Sequence, residues 1–309
     1  MAKRQTPFSE LFPPLPEGFQ EPFYYASLQS FWLYYRVDPE VLAKHLPDLP
    51  KPDGLQVALF DFGGGEQAGL VSLDFQRYTG HGPSYLETAN EVEFNLYAYP
   101  HAREPDVPLM TWQQYLLGED QTKTIGGYRL HVPCDNAIAV RAGKGLYGEP
   151  KYLATFDCAV PCLNGPPSPP STAWSYQVFA AAPPSGEGAS SPPSPGPLIY
   201  GLQCDLGATA PVPANQSPLI EYGALTDSGG TSRLVGNHWD FYGPFDTYMP
   251  SGAAPPLTAE ITLGTDLDPT GTVADLQELI GAAQPLAAQV YESRPVSAES
   301  RGWYPVPAR

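Results

Sequence analysis

Residues 85–99, YLETANEVEFNLYAY, carry the pattern that decides the fold class. Polar and apolar side chains alternate along it, with Glu87, Glu91, Glu93 and Asn95 on one parity and Val92, Phe94 and Leu96 on the other. A period of two residues is typical of a β-strand that has one polar and one apolar face. We expect the acidic face to be solvated, because alternating carboxylates are more often a wet strand face than a site for a hard cation with His81 and His101.

The surrounding sequence favours a mainly β protein. The chain of 309 residues contains 38 prolines and 30 glycines, which favour short strands and turns over long helices. LQVALFDF (55–62) and AGLVSLDFQRY (68–78) flank GGGEQ and predict a hairpin. Three helices are predicted: one after the capping residue Asp38, one in WQQYLLGEDQTKTI (112–125), and one across TVADLQELIGAAQPLAAQVYES (272–293).

The domain organisation follows from proline-rich boundaries. We predict an extended arm over residues 1–22, a β domain over 23–268, and a C-terminal helix and tail over 269–309. Residues 163–197 are rich in Pro, Ser and Gly and are predicted to form loops around one strand-like island, WSYQVFAAA (174–182). The chain has no alternation of strands and helices, so a doubly wound fold is not expected.

Charge and terminal sequence narrow the partners and the compartment. With 16 basic and 33 acidic residues, the formal net charge is −17, which disfavours nucleic acid and anionic membranes as partners. The first 19 residues lack the apolar core of a signal peptide, and no apolar run is long enough to cross a bilayer. We therefore expect a soluble cytoplasmic protein. Its four cysteines are expected to be free and mostly buried thiols.

The stretch GLYGEPKYLA (145–154) places Lys151 directly after a proline, in apolar and glycine-rich surroundings. An apolar pocket lowers the pKa of a lysine, because burial disfavours the charged amine, and the neutral amine attacks carbonyl carbons. The alternative is an ordinary surface lysine that follows a turn. The composition of the stretch alone favours this alternative.

Three stretches together resemble the acetoacetate decarboxylase family: NAIAVRAGKGLYGEPKYLA (136–154), FWLYYRVDPEVLAKHLPDLP (31–50) and YLETANEVEF (85–94). The resemblance covers roughly residues 22–265. It implies an antiparallel, closed or cone-like β-barrel with short flanking helices, assembled as a homo-oligomer. It also implies that Lys151 forms a Schiff base with a small keto acid and that Glu87 is the active-site glutamate.

The sequence departs from the family's pattern around the site. Tyr152 stands where the family's decarboxylases have a second lysine, and Leu28 stands where they have an arginine thought to meet the substrate carboxylate. Lys144 and Gly145 replace the arginine and glutamate of the signature. Decarboxylation of a β-keto acid is the family's default reaction, whereas these departures favour relatives that use the same Schiff base for aldol or dehydration steps.

We therefore expect a carbon-carbon lyase in which Lys151 attacks the ketone and Glu87 transfers protons. Further candidates for substrate binding or acid-base steps are Glu149, Tyr152, Lys144 and Arg36, the last being alternatively a structural ion-pair residue. The chemistry needs no cofactor, and we predict neither a cofactor nor a metal. A second hypothesis is a non-catalytic barrel that binds a small ligand in its cavity.

Overall fold

The computed structural model describes residues 11–50, 53–81, 86–161, 172–181, 195–227, 229–250, 255–265, 268, 270–293 and 297–305. Within these ranges, the side chains of residues 81, 86, 87, 293 and 297–299 are not described. Most of the predicted proline-rich loops around residues 163–197 therefore lie outside the described residues. None of the helices in the described part is long and apolar enough to span a membrane.

The structure is mainly β, as predicted. Its strands are β1 (Phe23–Val37), β2 (Leu55–Val57), β3 (Phe60–Asp61), β4 (Gln67–His81), β5 (Leu86–Pro100), β6 (Gly126–Cys134), β7 (Lys151–Ala159), β8 (Ala173–Ala181), β9 (Pro195–Asp205), β10 (Val212–Ala214), β11 (Leu219–Thr226), β12 (Ser232–Phe241), β13 (Phe245–Tyr248), β14 (Ala259–Leu263), β15 (Ala287–Ser293) and β16 (Ser297–Glu299). The alternating stretch that opened the analysis forms most of β5. The strand-like island between the proline-rich stretches is β8.

The helices are short: α1 (Pro39–Ala43), α2 (Trp112–Leu116), α3 (Ala137–Ala142) and α4 (Thr272–Leu279). The predicted start of α1 is confirmed, because the Asp38 carboxylate accepts a hydrogen bond from the Glu40 amide at 2.7 Å. Thr111 and Gln114 form a capping box that begins α2. A 3₁₀ turn (His101–Asp106) and a π-helical turn (Gly143–Tyr147) complete the helical segments of the described residues.

The strands form one large mixed sheet. One path through it runs β10-β13-β15-β1-β16-β12-β11-β6-β7-β8-β9-β14, while β4 and β5 connect β1 to β6. Most pairs are antiparallel, but β6 pairs in parallel with β7 and with β11. The predicted closed or cone-like barrel is not supported, because within the described residues the sheet ends at two open edges, β10 and β14.

Strands β4 and β5 are covered on both faces. One face is apolar and packs Val71, Leu73 and Phe75 of β4 into a core with β8, β9 and α4. The other face carries Asp74 and Glu91, both buried. The expectation of a solvated acidic face was therefore wrong, because the polar face of β5 is buried inside the protein.

Two segments differ from their predicted structure. The predicted helix over 272–293 ends at Leu279; Gly281 follows with φ +54°, and Ala287–Ser293 forms β15. This strand pairs with β1 from Leu28 opposite Ser293 to Tyr34 opposite Ala287, so the edge of β1 determines its conformation. The second segment, NAIAVRAGKGLY (136–147), joins an apolar run to a glycine-rich stretch, a pattern typical of a strand followed by a loop, but it forms α3 and the π-helical turn.

Candidate active site

Lys151 is the first residue of β7, and its position follows from the helical segment before it. The side chain of Asn136 begins α3 by accepting hydrogen bonds from the amides of Ile138 and Ala139 at 2.9 and 3.0 Å. The π-helical turn ends at Gly148, whose φ of +66° is a left-handed conformation that favours glycine. Lys151 then pairs with Val132 of β6.

Gly143 lets this helical segment pack closely against Lys151 and Glu149. A Cβ atom built at Gly143 would lie 2.6 Å from Cδ of Lys151 and would also collide with the Glu149 carboxylate. The amide of Glu149 donates a hydrogen bond to the carbonyl of Gly143 at 3.1 Å. The absence of a side chain at this position is therefore part of how the site is built.

The amine of Lys151 is buried between two carboxylates. Its Nζ donates a hydrogen bond to Oε1 of Glu91 at 2.7 Å and lies 3.1 Å from Oε2 of Glu149. Glu91 also accepts a hydrogen bond from the Tyr78 hydroxyl at 2.9 Å. Lys151 is 5% exposed and Glu91 is 2% exposed, so these charges interact with little screening by water.

Arg129 of β6 joins Lys151 to further carboxylates. Its Nη1 lies 3.0 Å from Oε1 of Glu149, its Nε lies 3.4 Å from Oε1 of Glu93, and its Nη2 contacts Glu221. Asn237 donates a second hydrogen bond to Glu221 at 3.0 Å. Arg129 is 1% exposed. A guanidinium with several donors in a fixed plane is well suited to hold three carboxylates together.

The polar network continues along β4 and β5 to Asp74. Nδ2 of Asn95 donates to Oδ2 of Asp74 at 2.7 Å and lies 3.1 Å from Oε2 of Glu93, and the Ser72 hydroxyl donates to Asp74 at 3.0 Å. Burial, together with the charge of Glu93, raises the pKa of Asp74 well above its usual range. These surroundings therefore favour the protonated form of Asp74 more than water does.

The electrostatics around Lys151 differ from the expectation of an apolar pocket. Burial alone would lower the pKa of Lys151, but the adjacent carboxylates of Glu149 and Glu91 raise it well above its usual range. Burial raises the pKa of Glu91, although the charge of Lys151 opposes this effect. The resting amine is therefore protonated, and its nearest proton acceptor is a carboxyl group with increased proton affinity.

A small cleft opens above the amine. Its aromatic walls are Phe23, Tyr25, Tyr78 and Tyr147, and the residues of α3 and the π-helical turn that line it are small. The empty volume is about 320 Å³ including the open mouth, and about 30 Å³ of it is wide enough for the centres of water-sized molecules, which is room for roughly one or two of them. Lys151 and Glu149 form part of its surface, so a small molecule that enters the cleft meets the amine.

The structure brings together some of the residues predicted from sequence. Glu149, two residues before Lys151 in the sequence, lies beside it. Tyr152 points away, with its hydroxyl 2.9 Å from Oγ1 of Thr272, as expected for neighbouring strand residues on opposite faces. Lys144 is exposed on the π-helical turn. Leu28 is buried in the apolar cluster that includes Tyr78.

Arg36 and Glu87 have no described contact with the amine. Arg36 is exposed, pairs with Glu66 and lies over the Phe62 ring at 4.9 Å. The backbone of Glu87 lies in β5 opposite Gly80, four residues before Glu91, which corresponds to about 13 Å along a strand. The side chain of Glu87 lies outside the described residues, so its role stays a prediction.

Two functional candidates were not singled out from the sequence. Glu91 was included in a wet strand face, although it shares the parity of Glu87 and is buried against Lys151. Arg129 was not considered at all. The available signal was a lone arginine within the otherwise apolar strand GGYRLHVPC, since a charged residue in a buried strand requires partners.

The chain has the fold of acetoacetate decarboxylase-like proteins. This similarity is structural, because no protein-family model matches the sequence and no curated protein matches it significantly. The sequence identity to the similar structures is low, so the comparison shows the fold alone.

Three solved structures illustrate the similarity. The enduracididine biosynthesis enzyme MppR, complexed with the condensation product of pyruvate and imidazole 4-carboxaldehyde, superimposes with a TM-score of 0.56 at 14% identity over 92% of this chain and 88% of that chain. An acetoacetate decarboxylase gives 0.53 at 13% identity over 97% and 96%. An acetoacetate decarboxylase-like enzyme from Sphingomonas wittichii RW1 gives 0.55 at 14% identity over 94% and 95%.

Gly143→Ala is expected to reduce any reaction at Lys151 by roughly 100-fold, because the new methyl group displaces the amine and the Glu149 carboxylate by a fraction of an ångström or more. The destabilisation is expected to be about 1–3 kcal/mol, as for other overpacked sites. The measurement is the rate of reductive trapping at Lys151. Gly145→Ala is the matched control, since its Cβ would meet the Pro16 side chain at 3.1 Å and no site residue. Equal trapping rates in the two variants would contradict the packing argument.

Proposed function

We propose that this protein is a Schiff-base-forming lyase that acts on a small keto acid, with Lys151 as the nucleophile and decarboxylation of a β-keto acid as the default reaction. The observation that carries the proposal is a buried amine at the surface of a small cleft, hydrogen-bonded to Glu91. A buried ionisable group that has a specific charge partner and lies in a cleft is a candidate functional residue.

The first step uses Glu91 to free the amine. Glu91 takes one proton from the Lys151 ammonium, and the nitrogen lone pair forms a bond to the carbonyl carbon. The resulting carbinolamine loses water when its oxygen receives the proton from Glu91 and the second proton from the nitrogen. The products are an iminium, one water molecule and the Glu91 carboxylate, so protons and charge balance.

The iminium then accepts electrons from a neighbouring carbon-carbon bond. In a β-keto acid the bond to the carboxylate breaks, carbon dioxide leaves, and its electron pair forms the enamine. Protonation of the enamine carbon and hydrolysis by water regenerate Lys151. Glu149 holds the amine in place through these steps, and Arg129 in turn holds the Glu149 carboxylate. The predicted proton transfer by Glu87 remains a proposal beside that of Glu91.

A second candidate is aldol or dehydration chemistry with the same iminium. Leu28 favours it, because an apolar residue leaves the carboxylate of a keto acid without a cation at that position. The condensation product of pyruvate and an aldehyde bound to MppR is consistent with such chemistry on this fold. The raised pKa of Lys151 favours the third candidate, a non-catalytic ligand-binding protein.

The test is intact-mass spectrometry after borohydride reduction with pyruvate and, separately, with acetoacetate. Peptide mapping locates the adduct, and a carbon dioxide assay accompanies the acetoacetate sample. We expect an adduct at Lys151, and carbon dioxide release identifies a decarboxylase. An adduct without release favours aldol or dehydration chemistry. No adduct with either keto acid would overturn the proposal in favour of a binding protein.

The predicted homo-oligomer and the cytoplasmic location stay predictions.

A further inference from the structure

The cleft contains little positive charge for an anionic substrate. Among the described residues that line it, Lys151 is the one cation, and the Glu149 carboxylate lies 3.1 Å from its amine. The remaining lining groups are four aromatic side chains, three of them tyrosines, and small residues of the helical segment. A keto acid that reaches Lys151 therefore brings its carboxylate into surroundings that are already acidic.

The excess of acidic over basic groups extends below the cleft. We call Asp74, Glu91, Glu93, Glu149 and Glu221 the buried carboxyl cluster, and each is at most 6% exposed. Among the residues that the structure describes, Arg129 and Lys151 are the cations that contact its members. Five carboxyl groups thus face two cations in a medium of low polarity. A buried charge without a partner is costly, so part of this excess is held as protonated carboxyl groups.

Formation of the iminium does not add positive charge to balance the acidic groups. The positive charge of the Lys151 ammonium becomes the positive charge of the iminium, so a keto acid adds one negative charge to the cluster and no positive one. A neutral ketone or amide of the same shape adds none. The difference between the two ligands is therefore one unit of charge at a site where water supplies little screening.

We infer that a keto acid binds at Lys151 together with one proton taken up from solvent by the buried carboxyl cluster, whereas an uncharged carbonyl compound binds without proton uptake. This inference rests on the proposed Schiff-base site. It makes charge the main determinant of specificity: the preference for an uncharged carbonyl compound over its carboxylate analogue increases as the pH rises.

The proton uptake is assigned to the buried carboxyl cluster after considering the other titratable groups near the site. The phenol of Tyr78 and the thiol of Cys134 have pKa values raised by burial and by the charge of Glu91, so they stay neutral. Glu21 accepts a hydrogen bond at 2.8 Å from the hydroxyl of Tyr147, one of the residues that line the cleft. Burial raises the pKa of Glu21 to about 7. Glu21 therefore titrates within the pH range of the experiment described next and requires its own control.

The experiment is a competition in one tube. Isotopically labelled pyruvate and unlabelled pyruvamide, two ligands of nearly the same shape, are presented together with cyanoborohydride between pH 6 and pH 9. The ratio of the two adducts at Lys151 is divided by the same ratio for free Nα-acetyl-lysine, whose side-chain amine is unmodified. This division removes the intrinsic reactivity of the two carbonyl groups, and the ionisation of Lys151 affects both ligands equally.

The expected ratio of pyruvate to pyruvamide adduct falls by up to about tenfold per pH unit, since each binding event of the anion is linked to one proton. Calorimetry in buffers of different ionisation enthalpy is expected to give uptake of about one proton with pyruvate and about none with pyruvamide. Glu21→Gln is expected to keep the slope. A ratio that is constant with pH, or a slope that vanishes in Glu21→Gln, would overturn the inference while leaving the Schiff base in place. An adduct with pyruvamide and none with pyruvate at any pH would also overturn it, and no adduct with either would remove the proposed function itself.

A second arm adds a cation to the site. Leu28 pairs across the ladder with Tyr78, whose hydroxyl contacts Glu91, so Leu28→Lys is expected to flatten the pH dependence and raise the relative trapping of pyruvate. Leu28→Met is the matched control for side-chain shape and is expected to keep the slope of the unaltered protein. A slope in Leu28→Lys equal to that of Leu28→Met would count against the charge explanation.

Discussion

Lys151→Arg is expected to abolish the borohydride-trapped adduct and to reduce turnover of any keto acid to the uncatalysed level. Arginine keeps the positive charge that Glu91 and Glu149 require, so the buried ion pairs and the fold are expected to survive. The guanidinium stays protonated at every accessible pH and therefore offers no lone pair to a carbonyl carbon. The measurements are intact mass after reduction and the rate of carbon dioxide release.

Lys144→Arg is the matched control, because it makes the same substitution seven residues away on the exposed side of the π-helical turn. It is expected to leave both the adduct and the rate unchanged. Equal loss in the two variants would show that the substitution disturbs the turn and not the nucleophile. Retention of the adduct in Lys151→Arg would place the reactive amine elsewhere.

Arg129→Met is expected to lower the free energy of unfolding by about 3–5 kcal/mol, the cost of leaving buried carboxylates without their cation. The three ion pairs of Arg129, with Glu93, Glu149 and Glu221, are lost together. The measurement is the midpoint of urea denaturation at neutral pH. We expect part of the loss to be recovered at lower pH, where the orphaned carboxyl groups take up protons.

Arg103→Met is the comparison for this change. Arg103 pairs with Asp106 at 2.7 Å, but both side chains are about half exposed, so the expected loss is about 0–1 kcal/mol. Similar losses in the two variants would mean that the buried network contributes no more to stability than a surface ion pair does.

Local sequence patterns predicted the strands well but not what covers them. The alternation of residues 85–99 identified β5 because the period of a strand is a property of its own backbone. The same pattern does not reveal whether a polar face meets water or other strands. Glu91 became a site residue because β7 brings Lys151 to it, just as β6 brings Arg129 to Glu93. These contacts depend on pairing between distant segments.

The same limit explains the errors in the helical regions. Residues 287–293 contain alanines and glutamine that are compatible with a helix, yet the unpaired edge of β1 makes them a strand. The glycines of AGKGLYG suggested a loop, although one of them is needed for close approach to Lys151 and another for the end of a helical turn. The resemblance to the acetoacetate decarboxylase family drew attention to Lys151, and the structure places its amine at the surface of a cleft. Its raised pKa was not predictable, because that property belongs to carboxylates brought in by other strands.

The pairing of β1 with β15 sets a minimum time for the protein to become complete during synthesis. Leu28 pairs with Ser293, so this edge of β1 waits until the chain has grown by 265 residues. At roughly 5–20 residues per second, that delay is about 13 to 50 seconds. Throughout this interval the backbone of β1 has an unpaired edge, flanked by apolar side chains, to which another nascent chain can pair. The yield of the native protein is therefore expected to depend on how crowded the translating ribosomes are.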